Sequence, residues 1–405
     1  MHRRVAVTGL GVISAIGKNV PSFWESLCLG RPGIKEMELV DRSDFRFKMG
    51  AEITDYDPLQ WFDGRETEML DRFAQFALIA AGQAVAQSSI PWTPELRART
   101  AIVTGTSTGG QKSADEGFYE FYYKRNKRVN PLSVPRIMAN AGASHISMRY
   151  GIHGPAWTVS TACSSSNHAI GQAFWMVRSG AVDCAIAGGS EAVFHFGFLK
   201  TWEAMRVVST DTCRPFSLDR KGLILGEGGA MLVLEPLDSA RARGAPILAE
   251  LAGFGMSADA HHITHPSAEG AAIAMRAALA DAQCKEEEIG YINAHGTGTA
   301  INDPTETMAI REVFGSHADR LAVSSTKSMH GHTLGAAGAI ESVATILALK
   351  NGILPPTANY TTPDPQCDLD VVPNVAREAK VAAALSNSFA FGGLNAVLLF
   401  RSAQS

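Results

Sequence analysis

The chain lacks any pairing among its cysteines. The six stand at 28, 163, 184, 213, 284 and 367, with no CxxC and no paired spacing. That argues against a disulfide framework and against a zinc site, and free thiols suit a reducing cytoplasm. No run of about 18 apolar residues occurs, so no transmembrane helix is expected. An excess of either charge is missing too: the net charge of −4 gives no reason to expect a nucleic-acid partner. Low-complexity segments and short-period repeats are missing, which excludes a solenoid and a long disordered linker.

What is present is a 405-residue chain, 46% hydrophobic and 19% charged, enough to bury a large core. Its 38 glycines point to tight turns and close backbone approaches. The N-terminal Met1-His2-Arg3-Arg4 and the following Val5 to Ile13 mimic a signal peptide. The apolar stretch is broken by Gly9 and Gly11, however, and reads better as a buried first strand.

Strand-like and helix-like segments alternate, the pattern of an α/β fold. Strands are expected at 4–8, 100–104, 156–160, 184–187, 230–235, 248–254, 291–293, 322–324 and 396–400. Helices are expected at 73–87, 164–179, 268–282, 303–314 and 338–351. A soft boundary lies at 238–246, where Arg241, Arg243, Gly244 and Pro246 cluster.

Three small-residue settings carry the chemistry. Cys163 sits in Ser160-Thr161-Ala162-Cys163-Ser164-Ser165-Ser166, between a strand and a helix. At a helix N-terminus the free N–H groups and the dipole favour a thiolate, and the same N–H groups can face an oxyanion. His295 opens the loop His295-Gly296-Thr297-Gly298-Thr299 at the end of a short strand, where α/β sites lie. His332 follows Lys327-Ser328-Met329-His330-Gly331, and the Lys327 cation would shift proton equilibria nearby. A thiol with two imidazoles suits making or breaking thioesters. The other histidines and cysteines have no such setting, and no metal site is expected. A further candidate is Asn387-Ser388-Phe389-Ala390-Phe391-Gly392-Gly393-Leu394-Asn395, read as a mobile gate or as a tight turn before the last strand.

At these residues the chain resembles a β-ketoacyl-acyl carrier protein synthase of the elongating type II group, nearly end to end. Cys163, His295, Lys327 and His332 fall in matching order, and Pro215 to Arg220 and Leu225 to Gly228 match as well. The resemblance implies a thiolase-like fold, two similar halves in a five-layered αβαβα core, with residues 1–245 carrying the cysteine and 246–405 both histidines. It implies a ping-pong Claisen condensation. Cys163 takes an acyl group from acyl carrier protein, and decarboxylated malonyl carrier protein attacks it. By the same resemblance His295 and His332 stabilise the enolate, Lys327 supports them, and Glu341 pairs with Lys327. Backbone N–H groups of Cys163 and Phe391 form the oxyanion hole. Phe389, Phe391, Gly392 and Gly393 make the gate, Thr297 and Thr299 hold the phosphopantetheine arm, and no dissociable cofactor is needed.

Departures set subtype expectations. Thr108 stands where a bulky residue often shapes the acyl pocket, which Trp202 and Phe391 also wall. Ala390 and Leu394 replace glycine and threonine and should stiffen the gate. His330 replaces threonine, and Asn302 a glycine. Lys127, Arg128 and Arg206 match positions that meet the acidic carrier protein, whereas Glu68 and Met69 depart from the usual basic residues. The runs 163–166 and 202–209 resemble synthases of specialised lipids, the nodulation type among them. A homodimer is expected, or a heterodimer with a chain-length partner. The alternative is that this chain is itself such a partner, against which Cys163 speaks. An initiating synthase would carry Asn in place of His332, and a degradative thiolase would need a second cysteine near the C-terminus.

Overall fold

The computed structural model describes residues 2–403. Ten strands form one hydrogen-bonded sheet: β1 (Val5–Ser14), β2 (Thr100–Gly105), β3 (Ala156–Val159), β4 (Cys184–Glu191), β5 (Gly228–Pro236), β6 (Ala249–Ala258), β7 (Ile289–Asn293), β8 (Ala322–Ser324), β9 (Ala383–Ala390) and β10 (Leu394–Ser402). Across the sheet the order is β8–β7–β9–β10–β6–β1–β5–β4–β2–β3. Read outward from the β1/β6 seam, the flanks run β1-β5-β4-β2-β3 and β6-β10-β9-β7-β8, the same order twice. The seam is short: Val5, Ala6 and Val7 pair antiparallel with Leu251, Glu250 and Ala249.

Seven helices position the rest: α1 (Arg72–Ser88), α2 (Ala141–Tyr150), α3 (Ser165–Ser179), α4 (Phe196–Met205), α5 (Ala268–Ala282), α6 (Asn302–Phe314) and α7 (Ala337–Asn351). Helix α1 covers β1, β5 and β4 on one outer face, and α5 covers β6 and β10 on the other. Helices α3 and α7 touch each other and both flanks of the sheet, giving five layers, αβαβα. Every residue of α7 from Ala337 to Leu349 is buried. A helix enclosed on all sides belongs between two sheet layers, and its small residues, Ala337, Gly338, Ala339, Ala344 and Ala348, permit it.

The repeat extends to side-chain detail. In β1, a Cβ added at Gly9 would lie 2.0 Å from the Ala84 carbonyl oxygen, and one at Gly11 1.9 Å from that of Ala80, both on α1. In β6, Gly253 and Gly255 stand in the same relation to Ala278 and Ala274 of α5, at 2.4 and 2.1 Å. Two glycines alternate along each strand against carbonyls one helical turn apart, so strand and helix backbones touch directly.

The expected strands and helices form, mostly with longer ends. The helix expected from Phe73 runs Arg72–Ser88 behind an Asp71 N-cap, and α3 ends at Gly180 with φ 81°, the left-handed stop anticipated there. Strand β9 was unexpected: Ala383 to Ala390 is rich in alanine and serine and lacks the β-branched signal. Its presence corrects the reading of Asn387 to Asn395 as a mobile loop. Ala390 is the last residue of β9, paired with Leu394 of β10, so only Phe391, Gly392 and Gly393 make the turn. Helices Val20–Cys28, Gln111–Phe118, α2 and α4 were also unanticipated.

Gly11→Ala and Gly255→Ala should each cost about 1–3 kcal/mol through overpacking. The check is a lower urea midpoint at unchanged slope. An unchanged midpoint would mean the strand and helix part at no cost.

Candidate active site

Strand β3 ends at Val159, and Ser160 to Ser164 turn the chain into α3. Ala162 takes a left-handed φ of 49°, a strained conformation for a residue with a Cβ. The serines and threonine around it hold the turn. Ser164 Oγ donates to the Thr161 carbonyl at 2.9 Å, Ser165 Oγ donates to the Ala162 carbonyl at 2.6 Å, and Ser165 Oγ accepts the Thr161 N–H at 2.9 Å. Cys163 therefore projects from a rigid elbow at the mouth of α3.

Strand β7 delivers His295, and the segment after β8 delivers Lys327 and His332. His332 Nε2 lies 3.2 Å from Cys163 Sγ, across 169 residues of chain. The His295 and His332 rings stand 5.4 Å apart at 84°. Lys327 is fully buried; its Nζ donates to the His295 carbonyl at 2.6 Å and pairs with the Glu341 carboxylate. The four expected catalytic residues and Glu341 thus form one cluster.

Burial sets the protonation states. It pushes the Cys163 thiol up to about 12, against the pull of Lys327 and of the Phe391 and Cys163 backbone N–H groups directed at the sulfur. The N–H groups at the helix N-terminus do favour the thiolate, but desolvation outweighs them. Burial, then the Lys327 charge, hold His295 and His332 well below the ordinary imidazole range. Both are neutral at physiological pH, and the sulfur keeps its proton. Burial also raises Glu341 to about 7, opposed by Lys327. His330 lies beneath the site, held neutral by burial; its Nδ1–H donates to the Gly331 carbonyl at 2.8 Å, and Thr326 Oγ1 donates to its Nε2 at 3.0 Å. It shapes the turn before His332 and takes no place in the cavity lining.

A cavity of about 380 Å³ opens onto Cys163, His295 and His332 and leads outward past Thr297 and Thr299. The two threonine hydroxyls are 3.0 Å apart. Phe389 and Phe391 line it, and Phe391 stacks on Trp202 at 6.1 Å and 21°. Gly393 also lines it, whereas Gly392 donates its N–H to the Ile263 carbonyl at 2.7 Å and so ties the turn to the neighbouring loop. Arg206 lines the outer part, while Lys127 and Arg128 lie on an exposed segment outside the lining.

Thr108 departs from expectation. It lies outside the cavity lining because its hydroxyl and N–H, at 2.7 and 3.2 Å, are spent on the carboxylate of Glu191. Glu191, fully buried, also accepts from Thr106, from Ser107 twice, and from the Gly335 N–H at 3.0 Å. Sequence reading missed Glu191, and also Asp303 and Glu306 of α6. Glu306 accepts the His295 and Gly296 N–H groups at 2.9 and 2.7 Å, and Asp303 accepts those of Phe216 and Gly298 at 2.7 and 3.1 Å. Their signal was present: two carboxylates three apart share a helix face, just after a glycine loop with free N–H groups. Among the described residues, no group of three or more His, Cys, Asp or Glu could hold a metal ion.

Alkylation of Cys163 by iodoacetamide, followed by intact mass, should climb about tenfold per pH unit from about pH 7 to about pH 9, because a raised thiol pKa leaves little thiolate at neutrality. A plateau near neutral pH would mean that His332 already holds the proton.

Residues 2–240 match the family model described as "Beta-ketoacyl synthase, N-terminal domain", and residues 248–361 match "Beta-ketoacyl synthase, C-terminal domain". Nodulation protein E of Rhizobium sp. (strain N33) is 46% identical over 401 residues, 99% of this chain and 100% of its own length. 3-Oxoacyl-[acyl-carrier-protein] synthase 2 of Coxiella burnetii is 40% identical over 405 residues, 98% of each. Among solved structures, the ishigamide ketosynthase/chain length factor superposes with a TM-score of 0.94 at 38% identity, covering 99% of this chain and 100% of that one. A thiol-bearing elbow, two neutral imidazoles over a buried lysine and this end-to-end likeness converge: the chain belongs to the β-ketoacyl synthase family.

Proposed function

We propose that the chain catalyses decarboxylative Claisen condensation of an acyl thioester with malonyl-acyl carrier protein, with Cys163 as the nucleophile. The observation that carries the assignment is the 3.2 Å contact between Cys163 Sγ and His332 Nε2 at the closed end of a cavity lined by His295, Thr297 and Thr299. In the first half-reaction Cys163 Sγ attacks the acyl carbonyl and its proton passes to His332 Nε2. The Cys163 and Phe391 N–H groups take the developing oxyanion. The arm's thiolate leaves and recovers the proton. In the second, the acylated sulfur carries no proton for His332 to accept, and neutral His332 holds its own proton on Nε2. Malonyl carrier protein loses CO₂, and the enolate oxygen is held by the N–H donors of His295 and His332. The enolate carbon attacks the Cys163 thioester, and Cys163 leaves as thiolate and takes a proton from solvent. Lys327, paired with Glu341, keeps both imidazoles neutral and favours negative charge at the sulfur.

Residues 1–245 supply the nucleophile and 246–405 both histidines; the twice-repeated strand order supports that division. Thr297 and Thr299 hold the phosphopantetheine arm, Trp202 and Phe391 bound the acyl chain, and Lys127, Arg128 and Arg206 meet the carrier protein. The product is a β-ketoacyl chain two carbons longer, for a fatty acid, a polyketide or a specialised lipid; likeness to nodulation protein E favours the last. The edge of β3, with Trp157 half-buried, suits pairing with a second copy or with a chain-length partner. Six free cysteines suit the cytoplasm, and no helix among the described residues is long and apolar enough to cross a membrane.

Cys163→Ala should abolish both acylation and condensation, read by intact-protein mass spectrometry with acyl and malonyl carrier proteins. His332→Ala should lose at least about 2 kcal/mol of transition-state stabilisation in malonyl decarboxylation, and an unchanged rate would remove its enolate role. Trp202→Ala should lengthen the longest acyl chain accepted across a donor panel; an identical profile would show that Trp202 does not bound the chain.

A further inference from the structure

The outer part of the catalytic cavity is electrostatically one-sided. Its lining carries three cationic side chains, Arg206, Arg220 and Lys221, and no aspartate or glutamate. The three are not equivalent. Arg220 is committed to the fold: its side chain is 7% exposed, ion-paired with Asp364, and donates to the Ser217 and Thr299 carbonyls at 3.0 and 3.1 Å. Lys221 is 60% exposed, and its nearest carboxylate, Asp211 at 3.6 Å, already accepts from Arg214 at 2.8 Å. Arg206 sits at the left-handed C-cap of α4 with φ 56° and forms no ion pair among the described residues. At the mouth Arg206 is unpaired among the described residues and Lys221 has only one long contact to a carboxylate shared with Arg214, so both have donors for an anion.

The same rim holds His262, whose Nδ1 accepts the Thr264 and His265 N–H groups at 3.1 and 3.2 Å. His262 and His265 both line the cavity and are exposed.

We propose that Lys221 and Arg206 form a seat for the phosphodiester of the phosphopantetheine arm. The inference rests on the reading of Cys163 as acceptor of an arm-borne thioester. A thioester at Cys163 sends the arm's amides past Thr297 and Thr299, and beyond the pantoyl hydroxyl the next group outward, and the arm's only charged one, is the phosphodiester. The guanidinium offers a planar donor fork and the ammonium a mobile point charge, a complementary pair for phosphate oxygens. The seat also accounts for a lining without carboxylates; Asp211, behind Lys221, is already held by Arg214.

The test uses two donors without any protein component, an acyl-phosphopantetheine and the matching acyl-pantetheine that lacks the phosphate. Cys163 acylation is followed by intact mass, and the ratio of kcat/KM for the two donors is the readout. The unmodified protein should prefer the phosphorylated donor. Lys221→Ala should lower that ratio about tenfold, the scale of one charge-assisted hydrogen bond, Lys221→Arg should restore most of it, and Lys221→Ala with Arg206→Ala should bring it near one. A mere change of cavity shape would move both donors together and leave the ratio in place. A ratio near one in the unmodified protein, or one untouched by Lys221→Ala, overturns the seat while acylation by both donors upholds Cys163 as the acceptor. No acylation by either donor, nor by acyl carrier protein, overturns both readings.

Discussion

Lys327 buries an ammonium where water cannot reach it, and the chemistry around it follows from how that charge is held. Removing an ion from water costs several kcal/mol unless partners replace the hydration. Here the Glu341 carboxylate and the His295 carbonyl do so. The first comes from the central helix α7, and the second is the backbone of His295 itself. The charge thus fixes the position of His295, and its field opposes protonation of His295 and His332. Two neutral imidazoles each keep one N–H, which is what an enolate or oxyanion needs. The same positive charge favours negative charge at Cys163, against the larger cost of burying a thiolate away from water. Breaking the Lys327–Glu341 pair would leave an uncompensated buried charge at the centre of the molecule.

The duplicated architecture explains how such a site can be assembled from distant segments. Ala162 and Leu334 both adopt left-handed φ values, 49° and 45°, and each stands three residues before a central helix. The residues that follow are Cys163 in one half and Gly335 in the other. The two halves then diverge. Strand β4 ends in Glu191, whose carboxylate takes the Gly335 N–H together with the donors of Thr106, Ser107 and Thr108. Strand β9 ends in the corresponding Ala390, which leaves space, and the cavity over Cys163 opens there. One half is filled by its own carboxylate and the other is left open to substrate. The loop after β7 is held from behind by Asp303 and Glu306, so the catalytic histidine gains rigidity without blocking the cavity.

Much of this was legible in the chain. The elbow was readable because Ser164, Ser165 and Thr161 have the short polar side chains that satisfy backbone groups in a tight turn. The histidine loop was readable from its glycines and threonines. Glu191 was not, because a carboxylate inside a strand looks the same whether it faces water or a ring of N–H groups; Asp303 and Glu306 showed only in their three-residue spacing after a glycine loop. Thr108 misled for a related reason. Its size suggested room for an acyl chain, yet its hydroxyl was claimed by a residue 83 positions away. Strand β9 was hidden by its alanines and serines, which a sheet buried on both faces accepts and propensity does not reward.

Fold class and family were readable from the chain, and so were Cys163, His295, His332 and Lys327 as the candidate site, because each sits in a local setting whose turn and cap chemistry is readable residue by residue. Only the tertiary structure decided the protonation states, the partners of the buried carboxylates, the walls of the cavity and the cations left free at its mouth. Those depend on desolvation and on which segments meet in space, such as the 169 residues between Cys163 and His332 and the 83 between Thr108 and Glu191, and no local pattern encodes them.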